Sequence, residues 1–223
     1  MELKQIATIY NDFESKFGIP RQSGLVDAES VIVFEKEYRI DESLRGIEGY
    51  SHLWLIWHFS DNKTEWTPTV RPPRLGGNTR VGVFATRSPY RPNPIGLSSV
   101  RLLGVEQTKT HGTVLRVAGA DILNGTPIFD IKPYIAYTDS HEGAVGGFSD
   151  SVRDYEIEVS CPSELVSKLD EKTKSTLIDI LKQDPRPSYH DLGREYSFDF
   201  AGYKIKFVSE EDTLVVTEIE KED

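Results

Sequence analysis

The sequence predicts a mainly β protein: an antiparallel β-barrel-like main domain followed by a small C-terminal α+β domain. Three observations carry this. Short runs rich in Val, Ile, Thr and aromatic residues dominate up to about residue 160, with Gly, Pro, Asn or Asp between them. No amphipathic helical segment separates consecutive runs, which argues against βαβ units and a Rossmann sheet. Near Cys161 the pattern changes to a helical one, then returns to strands.

In chain order the strand runs of the main domain are "LKQIATIY", "SVIVFE", "SHLWLIWHF", "RVGVFAT", "GLSSVRLLGV", "GTVLRVAG", "IFDIKPYIAYT" and "YEIEVS". Turn residues between them favour antiparallel pairing, and closure of the sheet removes its edges. "PSELVSKLDEKTKSTLIDILKQ" (Pro162–Gln183) reads as helix with a break near Asp170. Leu165, Leu169, Leu177 and Leu181 recur at helical spacing, and Pro185 blocks continuation. "EYSFDF" and "YKIKFV" flank Ala201–Gly202 as a hairpin, and "TLVVTEI" adds a third strand. The expected division is residues 1–160 for the barrel and 161–223 for the α+β domain, with "EKED" a frayed acidic tail.

Composition narrows the function. A chain of 223 residues with 38% hydrophobic content and ten each of Tyr and Phe folds into a substantial core. Its net charge of −10 opposes general binding to nucleic acid. Cys161 is the only cysteine, which rules out an intrachain disulfide and a Cys-based zinc site. "MELKQIATIY" lacks the features of a secretory signal, and "LWLIW" is far too short to span a membrane. The expectation is a soluble cytoplasmic protein with no membrane partner.

One stretch departs from the acidic average. From Trp66 to Val105 there are six arginines (Arg71, Arg74, Arg80, Arg87, Arg91, Arg101), no lysine and no Asp or Glu. Pro89, Pro92 and Pro94 fix φ and remove three backbone donors, so "SPYRPNP" is a rigid loop. Such a loop lowers the entropy cost of holding Arg87, Arg91 and Asn93 in one geometry. Guanidinium forks suit carboxylate or phosphate. The competing reading is that these arginines pair with acidic residues elsewhere.

A second candidate is "GADILNGTPIFDIKPY" (Gly119–Tyr134), where Asn124–Gly125 signals a turn. Asp130, Lys132 and Tyr134 alternate along the following strand and are expected to share one face, either at a barrel mouth or toward solvent. "RQSGLV" (Arg21–Val26) reads only as a loop. No phosphate-binding loop, dinucleotide fingerprint or hydrolase nucleophile motif is present. The five histidines show no pair at metal-ligand helical spacing, and no metal is expected.

"GVFATRSPYRPNPIGLS" resembles the signature of the TrmO family, S-adenosylmethionine-dependent tRNA methyltransferases. "KFGIPRQSGLV", "LRGIEGYSHLWLIWHF", "RPPRLGG", "DILNGTPIFDIKPYIAYTDS" and "QDPRPSYH" resemble family segments in the same order, from about Phe17 to His190. Ser23 stands where a proline is usual, and Asn124 where an aspartate is common.

The resemblance implies a β-barrel methyltransferase that binds S-adenosyl-L-methionine at or near a homodimer interface. It acts on N6 of threonylcarbamoyladenosine in the tRNA anticodon loop. Matched residue by residue, the donor-contacting positions would be Gln22, Ser23 and Gly24, then His58 and Phe59, then Arg87 and Leu97. The run Asp121, Ile122, Leu123, Asn124, Gly125 and Thr126 completes the set. Phe59 and Leu97 suit an adenine wall, and Arg87 a carboxylate. Arg71, Arg74, Arg91, Asn93 and Arg101 would face tRNA phosphates or the threonyl carboxylate. Asp130 is the candidate proton acceptor, with Lys132 and Tyr134 orienting it. Two alternatives stay open: a binding module without chemistry, and a small-molecule methyltransferase.

Overall fold

The computed structural model describes residues 2–63, 65–186 and 193–222; Pro187–His190 of the "QDPRPSYH" segment lie outside them. Six strands form the main sheet: β1 (Ala7–Tyr10), β2 (Glu29–Phe34), β3 (His52–His58), β6 (Ile95–Thr108), β7 (Gly112–Ala118) and β8 (Thr126–Pro133). They pair in the order β1-β2-β7-β6-β3-β8, and β1 also pairs with β8, so the antiparallel sheet closes on itself. The closing seam spans Ala7–Ile9 against Thr126–Ile128.

Alternation in the sequence becomes alternation in space. Leu53, Leu55 and Trp57 of β3 point inward, while His52, Trp54, Ile56 and His58 point out. Ile9, Ile32, Leu115 and Ile128 meet them in a core from which water is excluded. β8 breaks strict alternation. Its register against β3 shifts between Ile56 and Trp57, so that Ile56 faces Asp130 and Trp57 faces Ile128. Phe129 is the extra residue of this bulge.

"RVGVFAT" departs from expectation. Only Val81–Gly82 (β5) is a strand, paired with Thr69–Val70 (β4), and Val83–Ala85 turns into a 3-10 segment. The Thr86 hydroxyl donates to the Val83 carbonyl at 2.8 Å and ends any extended run.

The second sheet has the order β10-β11-β12-β9, from Glu195–Phe200, Tyr203–Glu210, Thr213–Lys221 and Glu158–Ser160. After a short turn of helix at Ser163–Val166, a longer helix, Glu171–Lys182, packs Leu177, Ile180 and Leu181 into this unit. Asp170 causes the break between the two helices. It is the N-cap of the longer helix, and its carboxylate accepts the Lys172 and Thr173 backbone N–H groups at 3.0 and 3.1 Å. Phe13, Val26 and Ala28 from the first part of the chain join the same core, which fixes the two sheets together. No helix among the described residues is long and apolar enough to cross a membrane.

Candidate active-site cleft

Because neighbouring strands run antiparallel, the end of β3, the starts of β6 and β8 and the ends of β1 and β7 lie at one mouth of the barrel. A cleft of about 540 Å³ opens there. Its walls come from the loop around Pro20–Gln22, the turn after β3, the rigid "SPYRPNP" loop and the segment ahead of β8. Two bonds fasten the rigid loop to the β3 turn. Phe59 N–H donates to the Pro94 carbonyl at 2.9 Å, and Asn62 Nδ2 donates to the Pro89 carbonyl at 3.0 Å.

The floor is a hydrogen-bonded relay. Trp57 Nε1–H donates to Ser98 Oγ at 2.9 Å, and Ser98 Oγ–H donates to Asp121 Oδ1 at 2.5 Å. Burial pushes the Asp121 carboxyl above its ordinary range, against the pull of Ser98, the Ser23 backbone N–H and the Arg87 charge. Phe59 lies against Trp57 with ring centroids 4.2 Å apart. Gly96 is required by the Trp57 ring, since a Cβ there would sit 2.2 Å from Trp57 Cε2. Gly96→Ala is therefore expected to displace Trp57, cost about 1–3 kcal/mol of stability and weaken ligand binding in the cleft. Urea denaturation with tryptophan fluorescence measures both the displacement and the stability.

Cations rim this floor. Arg87 Nη1 donates to Gln22 Oε1 at 2.6 Å and its side chain is exposed. Arg91 Nη1 donates to the Thr86 and Ser88 carbonyls at 2.9 and 3.2 Å, which braces its own loop. Lys16 is paired with Asp61 at 2.8 Å.

The cleft brings together Gln22, His58, Phe59, Arg87, Arg91, Leu97, Asp121, Leu123 and Thr126. The neighbouring positions make contacts within the chain. Ser23 Oγ accepts the Ser99 N–H, and Gly24 N–H donates to the Gly119 carbonyl. Ile122 is fully buried in the barrel core. Asn124 bonds to Asn11 and Glu14, and Gly125 N–H to the Ile9 carbonyl. Arg71 and Asn93 are exposed beyond the cleft lining.

Three expectations need correction. Asp130 and Lys132 point to the outer face of β8, opposite Ile56 and Trp54, and pair with each other at 2.9 Å. Tyr134 packs outside on His52 and Trp54. Within one chain this trio is not on the cleft, so Asp130 is not placed to accept a proton there. Arg74 is not part of the cleft lining: it donates to the Gln183 carbonyl at 2.8 Å and faces the Asp184 carboxylate at 3.5 Å. Arg101 donates to both oxygens of Asp27 at 2.7 and 2.6 Å. For these two arginines the ion-pair reading prevails. Among the described residues no group of three or more His, Cys, Asp or Glu could hold a metal ion.

The residue missed on the sequence is Arg21, which lines the cleft next to Gln22. Its Nη2 donates to the carbonyls of Asp184 at 2.6 Å and Arg186 at 3.0 Å, across more than 160 residues. No local pattern marks a contact of that range.

A small antiparallel barrel whose mouth cleft combines an aromatic floor with a guanidinium rim defines a class of ligand-binding protein distinct from the Rossmann type. The chain belongs to the TrmO family: residues 8–140 match the tRNA-methyltransferase O N-terminal domain and residues 154–222 the TrmO C-terminal domain. It is 38% identical to the tRNA (adenine(37)-N6)-methyltransferase of Escherichia coli K12 over 217 residues, which is 92% of each chain. It is 40% identical to the enzyme of the same name from Eikenella corrodens over 171 residues, covering 75% of this chain and 95% of that one. A crystal structure of TrmO from Pseudomonas aeruginosa superposes with a TM-score of 0.80 at 31% identity, covering 99% of this chain and 97% of that one.

Proposed function

We propose that this chain is an S-adenosyl-L-methionine-dependent methyltransferase that methylates N6 of adenosine 37 in tRNA, in its threonylcarbamoyl form. The observation that carries the reading is the cleft itself. Family-matched positions from four separate segments converge on one cavity of a size suited to a cofactor. The aromatic and aliphatic wall of Trp57, Phe59 and Leu97 suits an adenine. Arg87 suits an amino-acid carboxylate, and the buried Asp121 carboxylate suits a cationic group. When bound, the donor supplies a methyl group on a sulfonium centre.

The residues present do positional work. Phe59 and Leu97 exclude water from one side, and Arg87 with Gln22 fixes the amino-acid end. The relay from Trp57 through Ser98 holds Asp121 in one orientation. Positioning in a water-poor site supplies much of the rate in such a displacement. The acceptor N–H bears a carbonyl on its nitrogen, so its acidity reduces the need for a strong base.

The chain is further proposed to act as a homodimer. Leu97, 51% exposed, is shared by the cleft and a groove on the outer barrel face lined by Trp54, Ile56 and Lys132. Tyr137, adjoining the groove-lining Thr138, is 88% exposed. A second copy covering this apolar face would also close the side of the cleft. Sedimentation at micromolar concentration is expected to give a dimer, and a monomer refutes this part.

The deciding experiment is transfer of labelled methyl groups to bulk tRNA lacking this modification. Label at N6 of adenosine 37 is expected. Binding of tRNA without transfer would make the chain a binding module, and label on small molecules alone would make it another kind of methyltransferase.

A further inference from the structure

Resting on the reading that the cleft receives modified tRNA, we infer that Arg21 is a second anion-recognition residue of the cleft, taking a carboxylate or phosphate of the RNA substrate. The geometry behind this is specific. One guanidinium nitrogen, Nη2, is spent on the Asp184 and Arg186 carbonyls. Among the described residues no acceptor lies on Nε or Nη1, although the side chain forms part of the cleft wall. A guanidinium has five N–H donors in a rigid fork. Two carbonyls hold Nη2, and the donors on Nε and Nη1 remain for a ligand of the cleft that this residue lines.

The electrostatics support the same conclusion. Arg74 and Arg186 pair with a single carboxylate, that of Asp184, and Arg21 lies within the field of Asp184 and Arg74. Arg186 Nε donates to Asp184 Oδ1 at 2.7 Å, and Tyr155 OH donates to Oδ2 at 3.2 Å. Arg74 stacks over the Tyr155 ring with its Cζ 4.2 Å from the centroid. Burial lowers the Arg21 pKa to about 10, with the Arg74 charge adding to the effect. Arg21 is still a cation at neutral pH. With the Asp184 carboxylate already paired to Arg74 and Arg186, the Arg21 charge on the cleft wall keeps no carboxylate of its own, and an entering anion would neutralise it. Arg21 lies beside Gln22, which already holds Arg87. A substrate anion could therefore reach Arg21 while Arg87 engages the donor.

The test compares the wild type with Arg21→Gln and Arg21→Lys. Two anticodon stem–loop RNAs serve as substrates, one bearing threonylcarbamoyladenosine and one its threoninamide counterpart without the carboxylate. Arg21→Gln is expected to lower kcat/KM for the carboxylate RNA by roughly ten- to a hundredfold, the scale of one charge-assisted contact. Donor affinity by calorimetry should stay within about twofold. Arg21→Lys, which keeps charge without the fork, should fall between. If the anion is the threonyl carboxylate, the wild type shows the same loss on the amide RNA and Arg21→Gln loses little more there. If it is a phosphate, both RNAs suffer equally and the log–log salt slope of RNA binding falls by about one. Unchanged turnover and salt slope with both RNAs would overturn the inference. So would an equal fall in donor affinity, which would make Arg21 a brace or a donor contact. Should the wild type transfer no methyl group, the proposed activity fails, while direct binding of the two RNAs to each variant still reads Arg21.

Discussion

Asp184→Ala is expected to destabilise the protein by about 3–5 kcal/mol, the cost of stripping a buried charge cluster of its counter-ion. Asp184 is 2% exposed, and its carboxylate contacts Arg186, Tyr155 and Arg74. Without it Arg74 and Arg186 lose their shared counter-ion, with the Arg21 charge close to Arg74. The melting temperature of a chain this size should fall by roughly 6–20 °C. Asp184→Asn is the informative companion. Asparagine tolerates the left-handed φ of 46° at this position and preserves one acceptor, so it should recover part of the packing but none of the charge. Equal losses for the two variants would assign the stabilisation to charge, and a mild Asn variant would assign it to hydrogen bonding. A melting temperature unchanged in Asp184→Ala would show that the arginines find other acceptors.

Much of the barrel was legible because burial of one face imposes a period of two. "SHLWLIWHF" states its inward residues outright, and the matching strand "GLSSVRLLGV" follows the same rule through Gly96, Ser98 and Val100. Failures of the reading trace to interactions between distant residues. A bulge at Phe129 is set by pairing with β3, and nothing in "IFDIKPY" reveals that Asp130 and Lys132 would end on the outer face. The six-arginine run read as one functional stripe. The fold instead divides it: Arg74 goes to Asp184, Arg101 to Asp27, and Arg87 and Arg91 to the cleft. Guanidinium groups look alike in sequence whether they meet a ligand or a carboxylate far along the chain. The rigid "SPYRPNP" loop was the better guide, because prolines fix local geometry without help from elsewhere.

Arg87→Ala is expected to weaken S-adenosyl-L-methionine binding by about 2–3 kcal/mol, roughly 30- to 150-fold in affinity. Arg87 is exposed, and its hydrogen bond to Gln22 is readily replaced. Its loss should therefore move the melting temperature of the unliganded protein little, in contrast to Asp184. The effect should emerge when a ligand carboxylate closes over the guanidinium and both groups leave water, where an unpaired anion is costly. Arg87→Lys should recover only part of the affinity, since lysine offers charge without a paired set of donors. Asp121 sharpens the test. Its carboxylate lies close enough to feel the Arg87 charge, which opposes the upward push of burial on its pKa. Removing Arg87 should make protonation of Asp121 easier, so any dependence of donor binding on ionised Asp121 should move to higher pH in Arg87→Ala. Calorimetric titration across pH reads both quantities in one series. Wild-type affinity in Arg87→Ala would remove this residue from the donor site and leave the amino-acid end of the donor to be held elsewhere in the cleft.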